Sequence, residues 1–509
     1  MTEFKVAAIF SSNMVLQRNK NIKVFGQGGN LKQVTVSFLG KNYSTQVKNH
    51  EWVIILPPIA AATDCTMTVR CEKEEKKFEN IAIGEVWLAG GQSNMEFELN
   101  RCIGGEEMLK NDDNPNVRFY YTNKIAYIDE NFYEQEEKSH WKEFNEENAA
   151  DWSAVGYIFG KKLAAELGVT VGIIGCNWGG TSASCWMSKE SLQEDRELNS
   201  YLEEYASAIE GKSVVVQKKE YQEYQNYEVD WDKRCAKVYA DHPDITWTEA
   251  IGICGECKWP GPMNCVNPFR PSGLYECMLR RVMPYTLAGF IYYQGESDDH
   301  KPQMYQKLLT RMIKQWREDW EEDNLPFIMV QLPMHQNKED ADLKNWCLIR
   351  EAQMNTYRTI KNTGIAVILD CGEFNEIHPK DKIPVGERLA LFALYQVYHK
   401  AREEEAFGPM FRSLEYKEDG IELSFDHAEH GFIVKNEVKG FEIAGEDNVF
   451  KDADVTIRGT IILVSSKEIS KPIAVRYCWT NYSEVTVYGV NGIPLAPFRD
   501  GLNINRKEI

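Results

Sequence analysis

What the chain lacks narrows it first. No uninterrupted apolar run in its 509 residues approaches the roughly 18 that a membrane helix requires. The opening MTEFKVAAIFSSN has neither a charged leader nor a long apolar core, so no signal peptide is expected. Basic residues are in deficit: 58 Lys and Arg against 77 Asp and Glu leave a net charge of −19. That balance argues against nucleic acid and anionic membrane surfaces, which reward basic patches, and says nothing against a neutral sugar or peptide. A disulfide framework is also missing. Thirteen cysteines, an odd number scattered over a long chain, suit a reducing compartment, and a cytoplasmic protein is expected. The tightest thiol cluster is Cys254 and Cys257, with Cys265 and Cys277 beyond. The second pair is not a compact CxxC, and Cys277 lies in the helical-looking LYECMLRR, so free or buried thiols are favoured over structural zinc. No metal or cofactor is expected.

What is present is ample for packed globular domains, since 43% of residues are hydrophobic and 12% aromatic. The length exceeds what one core usually serves. Residues 1–80 alternate apolar and polar in short runs such as NIKVFGQG, QVTVSFLG and WVIILPP, a pattern that predicts an antiparallel β-sandwich region. Residues 406–509 behave alike, in GIELSFDH, DVTIRGTIILVSS and SEVTVYGV. Between them, residues 81–405 carry continuous apolar strands: GEVWLAGG, VTVGIIGCNWGG, LAGFIYYQGESD, LPFIMVQLP and GIAVILDCG. Helical stretches such as SAVGYIFGKKLAAELG and PQMYQKLLTRMIKQWREDW alternate with them. The expectation is an α/β fold with a parallel sheet covered by helices on both faces, binding its ligand beyond the carboxyl ends of the strands. Residues 188–262 are highly charged, with Tyr and Trp interleaved, and read as a helical insertion. Its charges form a solvated face; its aromatics suit either packing or a sugar site.

The strand ends carry the chemistry. The first offers Ser93 after Gly90 and Gly91; the second, Gly179 and Gly180, whose backbone N–H groups can face an anion. The third offers Gln294 and Glu296, the last Glu376 two residues before His378. Together these are the parts of an acyl-transfer site: hydroxyl nucleophile, imidazole base, orienting carboxylate and oxyanion donors. Each alone is weak, because a serine after a strand is more often a helix cap than a nucleophile. The chain contains its own control, Ser12-Asn13-Met14, which repeats Ser93-Asn94-Met95 without the glycines and reads as a strand connection. No G-x-S-x-G is present, which argues against the α/β-hydrolase elbow.

GEVWLAGGQSNM, NWGGT, YYQGES and IHPKDK followed by GERLA resemble the sialate O-acetylesterase family of SGNH-type carbohydrate esterases. NMVLQRNKNIKVFGQG, GFEIAGED and GIPLAPFRD extend the likeness to both flanks, leaving 188–262 as the main unmatched part. The resemblance implies an SGNH-hydrolase, flavodoxin-like parallel sheet, with Ser93 as nucleophile and His378 as base. It implies oxyanion donors from the Ser93 N–H, from Gly179 or Gly180, and from the Gln294 side chain. Relatives commonly read Asp-Ile-His-Pro where this chain reads Glu376-Ile377-His378-Pro379, so the acid is open: Glu376 is favoured, with Glu296 and Asn375 as rivals. The implied reaction removes O-acetyl groups from sialic acid or from xylo- or manno-oligosaccharides through an acetyl-enzyme, without metal or cofactor. Arg270 and Arg388 are candidates for meeting an anionic sugar. The expected partners are an acetylated mono- or oligosaccharide and a second copy in a homo-oligomer, with neither nucleic acid nor membrane. The rival reading is a carbohydrate-binding protein that keeps the fold without activity.

Overall fold

The computed structural model describes residues 3–242, 245–418 and 420–502. The last seven residues of the C-terminal β region, two residues of the 188–262 stretch and the first two of the chain lie outside the described residues. Two compact units are present: residues 1–122, 137–183 and 282–509 form one, and residues 123–136 and 184–281 the other.

The first unit is built on a parallel sheet. Its strands are β1 (Glu74–Gly91), β2 (Val117–Tyr121), β3 (Val171–Asn177), β4 (Gly289–Tyr293), β5 (Phe327–Gln331) and β6 (Thr363–Val367). They lie in the order β2-β3-β1-β4-β5-β6, every neighbouring pair parallel, with the short antiparallel strand Lys142–Glu143 on the β2 edge. From residue 81 onward β1 is buried throughout, as are β3 to β6. Strands covered on both faces need no polar alternation, which is why they read as unbroken apolar runs. The helices follow in chain order: α1 (Ser93–Glu96), α2 (Ala154–Leu167), α3 (Tyr305–Trp320), α4 (Asn345–Thr359) and α5 (Ile383–Gln396). Successive strand residues face opposite ways. Trp87 therefore meets Phe159 of α2, while Gly90 leaves room for Trp316 of α3 on the other face. A Ser153 side chain caps α2, and Gly168, at φ 64°, ends it where the sequence places its stop.

The chain order places β2 and β3 on one side of β1 and β4 to β6 on the other. A crevice opens at the carboxyl ends of strands at such a switch point. Register brings three strand ends level there, since Gly91 pairs with both Asn177 and Tyr293.

The amino-terminal region forms antiparallel strands with alternating burial, including Ile22–Gln27, Gln33–Phe38 and Glu51–Leu56. Residues 62–71 and 15–17 both pair with β1, so the 80/81 boundary falls inside one strand. The carboxy-terminal region contains two four-stranded sheets, strands 410–417, 420–426, 461–465 and 454–458 in one, and 451–452, 441–444, 474–477 and 498–501 in the other.

The second unit is mostly helical. Its longest helix, Val214–Asp241, buries only Gln217, Tyr224, Trp231 and Cys235, so its charges are solvated as read from the sequence. Cys254 packs with Trp231 and Cys235, and Cys257 lies against them. Cys254 thus has Cys235 as its neighbour, rather than a tetrahedral set with Cys265 and Cys277. Among the described residues no group of three or more His, Cys, Asp and Glu side chains has metal-holding geometry. No helix among them is long and apolar enough to cross a membrane.

Candidate active site

The turn after β1 has little freedom. Gly91 sits at φ 134°, and a Cβ there would lie 2.1 Å from the Tyr293 carbonyl oxygen, so only glycine lets β1 and β4 stay paired to their tips. The Gln92 N–H donates to that carbonyl, and its side-chain oxygen accepts from the Ser297 N–H. The chain then enters α1 with Ser93 as its first residue. It is not a cap: no side-chain cap hydrogen bond is made at this terminus, and the Ser93 Oγ meets His378 instead.

His378 arrives on the loop between β6 and α5. Its Nε2 lies 2.8 Å from Ser93 Oγ. Burial pushes its pKa below the ordinary value; Glu376 opposes that shift, whereas the cations of Lys382 and Arg101 add to it. The ring is therefore neutral near pH 7 and can accept a proton.

The carboxylates divide. Glu376 Oε1 lies 3.9 Å from His378 Nδ1, beyond a hydrogen bond, and accepts instead from the His378 backbone N–H at 2.8 Å. Its side chain is 44% exposed, so solvent screens it. Glu296 makes no hydrogen bond to the histidine: it is buried, and its Oε1 accepts from Asn94, the residue after Ser93, at 2.6 Å. Asn375 also turns away, its Oδ1 accepting from the Lys338 N–H.

Among the oxyanion candidates, Gly179 is close to Ser93, since a Cβ on it would lie 3.2 Å from Ser93 Cβ. Its N–H donates to Glu96 Oε2 at 2.8 Å. Gly180, at φ 74°, shapes the turn. The Gln294 side chain faces inward. Its two amide hydrogens go to Asp298 Oδ2, at 2.6 Å, and the Thr181 carbonyl, at 3.2 Å, and its oxygen accepts from Tyr305. At 1% exposed it has no donor left for a substrate oxygen. It braces the glycine loop instead.

Asp298, absent from the residues singled out by sequence, is the centre of that brace. It also accepts from Ser182 Oγ and the Ala183 N–H. A carboxylate so buried is tolerated only because each oxygen is hydrogen-bonded. Asn94 and Lys382 lie inside GEVWLAGGQSNM and IHPKDK and Glu96 just after the first, yet only their tertiary neighbours mark them. Both candidate arginines already meet carboxylates. Arg388 is bound through two nitrogens to Asp370, at 2.6 and 3.0 Å, and Arg270, in the second unit, pairs with Glu276.

A neutral imidazole on a serine hydroxyl, beside a backbone N–H directed at an anionic oxygen, is equipped for acyl transfer. Comparison with known proteins agrees. Residues 262–392 match the model of a carbohydrate esterase family, the sialic acid-specific acetylesterases. The chain is 23% identical to the sialate O-acetylesterase of Mus musculus, over 97% of this chain and 94% of the relative. It is also 23% identical to that of Homo sapiens, over 97% and 92%. A carbohydrate acetylesterase from Xanthomonas citri superposes with a TM-score of 0.78 at 27% identity, covering 98% of this chain and 99% of the other.

Proposed function

We propose that this carboxylic-ester hydrolase is an enzyme of the sialate O-acetylesterase family, removing O-acetyl groups from saccharides by a serine mechanism on an SGNH-type, flavodoxin-like sheet with β-sandwich regions at both ends. The observation that carries this reading is the 2.8 Å contact between His378 Nε2 and Ser93 Oγ at the crevice of the sheet. His378 takes the Ser93 proton as Oγ attacks the acetyl carbonyl. The tetrahedral oxyanion is held by the backbone N–H groups of Ser93 and Gly179, the latter exchanging its Glu96 carboxylate partner for the substrate oxygen. Protonated His378 returns the proton to the sugar oxygen as the C–O bond breaks, leaving acetyl on Ser93. Water, activated by the same ring, then releases acetate and frees the serine.

The substrate is proposed to be an acetylated mono- or oligosaccharide. The mammalian relatives are named for sialate and the bacterial one for carbohydrate at large. Placement in the cytoplasm is supported by thirteen cysteines that are all free thiols. The test is acetate release from acetylated sialate, xylo- and manno-oligosaccharides, with peptide mass spectrometry of acid-quenched enzyme. An acetyl group on the Ser93 peptide is expected; turnover with no such adduct and full activity in Ser93→Ala would reject the mechanism.

A further inference from the structure

The nucleophile and base arrive on segments far apart in sequence, and an exposed Glu376 does little to fix their separation. Directly beneath them is a buried amide whose hydrogens are both committed. Asn94, 1% exposed, donates one hydrogen to the Ile377 carbonyl at 3.0 Å and the other to Glu296 Oε1 at 2.6 Å. Its oxygen accepts from Lys382 Nζ at 2.5 Å. The residue after the nucleophile is thus bonded to the residue before the base.

Two opposite charges flank this amide. Lys382 is 1% exposed and packs its ammonium over the Phe97 ring, 4.8 Å from the centroid, with Tyr293 on another side. Glu296 is 5% exposed, and its second oxygen has no hydrogen-bond partner. Neither charge is cheap to bury, and a core of this kind fills more stably with apolar side chains. The cation on its oxygen draws electron density away from its N–H groups and so strengthens the bond to Ile377, while the anion fixes which way the amide faces.

We propose that Lys382 and Glu296 are positioning residues that act through Asn94 to clamp the Ile377 carbonyl and so hold His378 in register with Ser93. The proposal rests on the reading of Ser93 and His378 as nucleophile and base. It assigns to a buried charge–amide–charge bridge part of the task that a triad carboxylate performs elsewhere.

The charge state of Lys382 then bears on turnover. Burial lowers its pKa to about 8; the Glu296 carboxylate opposes that most and Glu373 adds to it, while the Cys371 and Cys102 thiols, their own pKa values raised by burial, face it uncharged and His378 faces it from the Ser93 side. The clamp is complete while Lys382 is protonated and weakens as pH rises through that value. Removing the Glu296 charge takes away the largest influence keeping the proton on, so deprotonation moves to lower pH.

The experiment uses the full chain with p-nitrophenyl acetate, measuring kcat and KM against pH for Glu296→Gln, Lys382→Met and Asn94→Ala, with thermal melts in parallel. Glu296→Gln keeps the shape and should lower kcat by about tenfold, the usual scale of a lost charge-assisted hydrogen bond, with KM nearly unchanged. Its alkaline limb should fall at lower pH than wild type, and Lys382→Met should lose that limb. An unshifted limb and wild-type kcat in Glu296→Gln overturn the proposal, as does a variant that melts earlier but turns over normally where it is folded. Ser93→Ala separates the two readings. If it stays active, the nucleophile assignment has failed; if it is inactive while Glu296→Gln is normal, only the clamp has failed.

Discussion

Two copies of one tripeptide, Ser12-Asn13-Met14 and Ser93-Asn94-Met95, end in opposite circumstances. Ser12 is exposed, and its Oγ accepts a hydrogen bond from the Glu79 backbone N–H. Asn13 adopts the left-handed conformation at φ 67° and bonds Asn80 and the Trp141 carbonyl, securing a turn beside β1. Ser93 instead opens a helix and meets an imidazole, and Asn94 joins three segments of chain. Only the two methionines agree, both wholly buried. The difference lies in what precedes and surrounds each copy. Gly91 lets the second leave its strand at a carboxyl edge, where the loops after β3, β4 and β6 converge. The first leaves no such edge and acquires only structural partners.

The largest effect that tests this contrast is on the hydroxyls. Ser93→Ala should lower ester hydrolysis by at least about a thousandfold, while Ser12→Ala leaves kcat unchanged; equal effects would erase the distinction. Next comes the histidine that sets Ser93 apart. The proposed mechanism needs His378 neutral, so kcat/KM should rise with pH through its pKa. Burial depresses that pKa and Glu376 raises it, so Glu376→Gln should move the acid limb to still lower pH. The half-exposed carboxylate should cost less than about tenfold in kcat/KM, whereas loss of a buried triad acid costs about 10⁴-fold. A loss of that larger size would restore Glu376 to a full triad role. The smallest effect concerns Asn13. Asn13→Ala should destabilise folding by about 1–2 kcal/mol for its left-handed backbone, Asn13→Gly should recover that part, and neither should change kcat. Denaturant midpoints and initial rates check both.

The strands around the site were legible because burial on both faces leaves unbroken apolar runs, as in GEVWLAGG and VTVGIIGCN. Ser93 stands at the end of such a run, whereas strand position alone does not single out His378 among nine histidines, and its role came from the likeness of IHPKDK to the family. Gln294 illustrates where this reading stops. An amide at a strand end looks like an outward donor, and only the packing of Asp298, Thr181 and Tyr305 around it turns it inward. Lys382 was illegible for a different reason: lysine is almost always at the surface, and nothing local marks the one that a fold encloses. The balance between Glu376 and Glu296 was equally a matter of direction, since one loop turn decides whether a carboxylate meets a ring or a backbone N–H.

The 18-residue strand Glu74–Gly91 carries a consequence for modularity. Its residues 74–84 are laced to the amino-terminal strands, Val15–Gln17 and Ala62–Cys71, and its tip leads into Ser93. A catalytic fragment excised at residue 81 would begin partway along the rail on which Ser93 is mounted, with Ala82, Ile83 and Gly84 stripped of neighbours on that flank. The amino-terminal β region is therefore no detachable accessory: it is scaffolding from which the Ser93 hydroxyl is suspended.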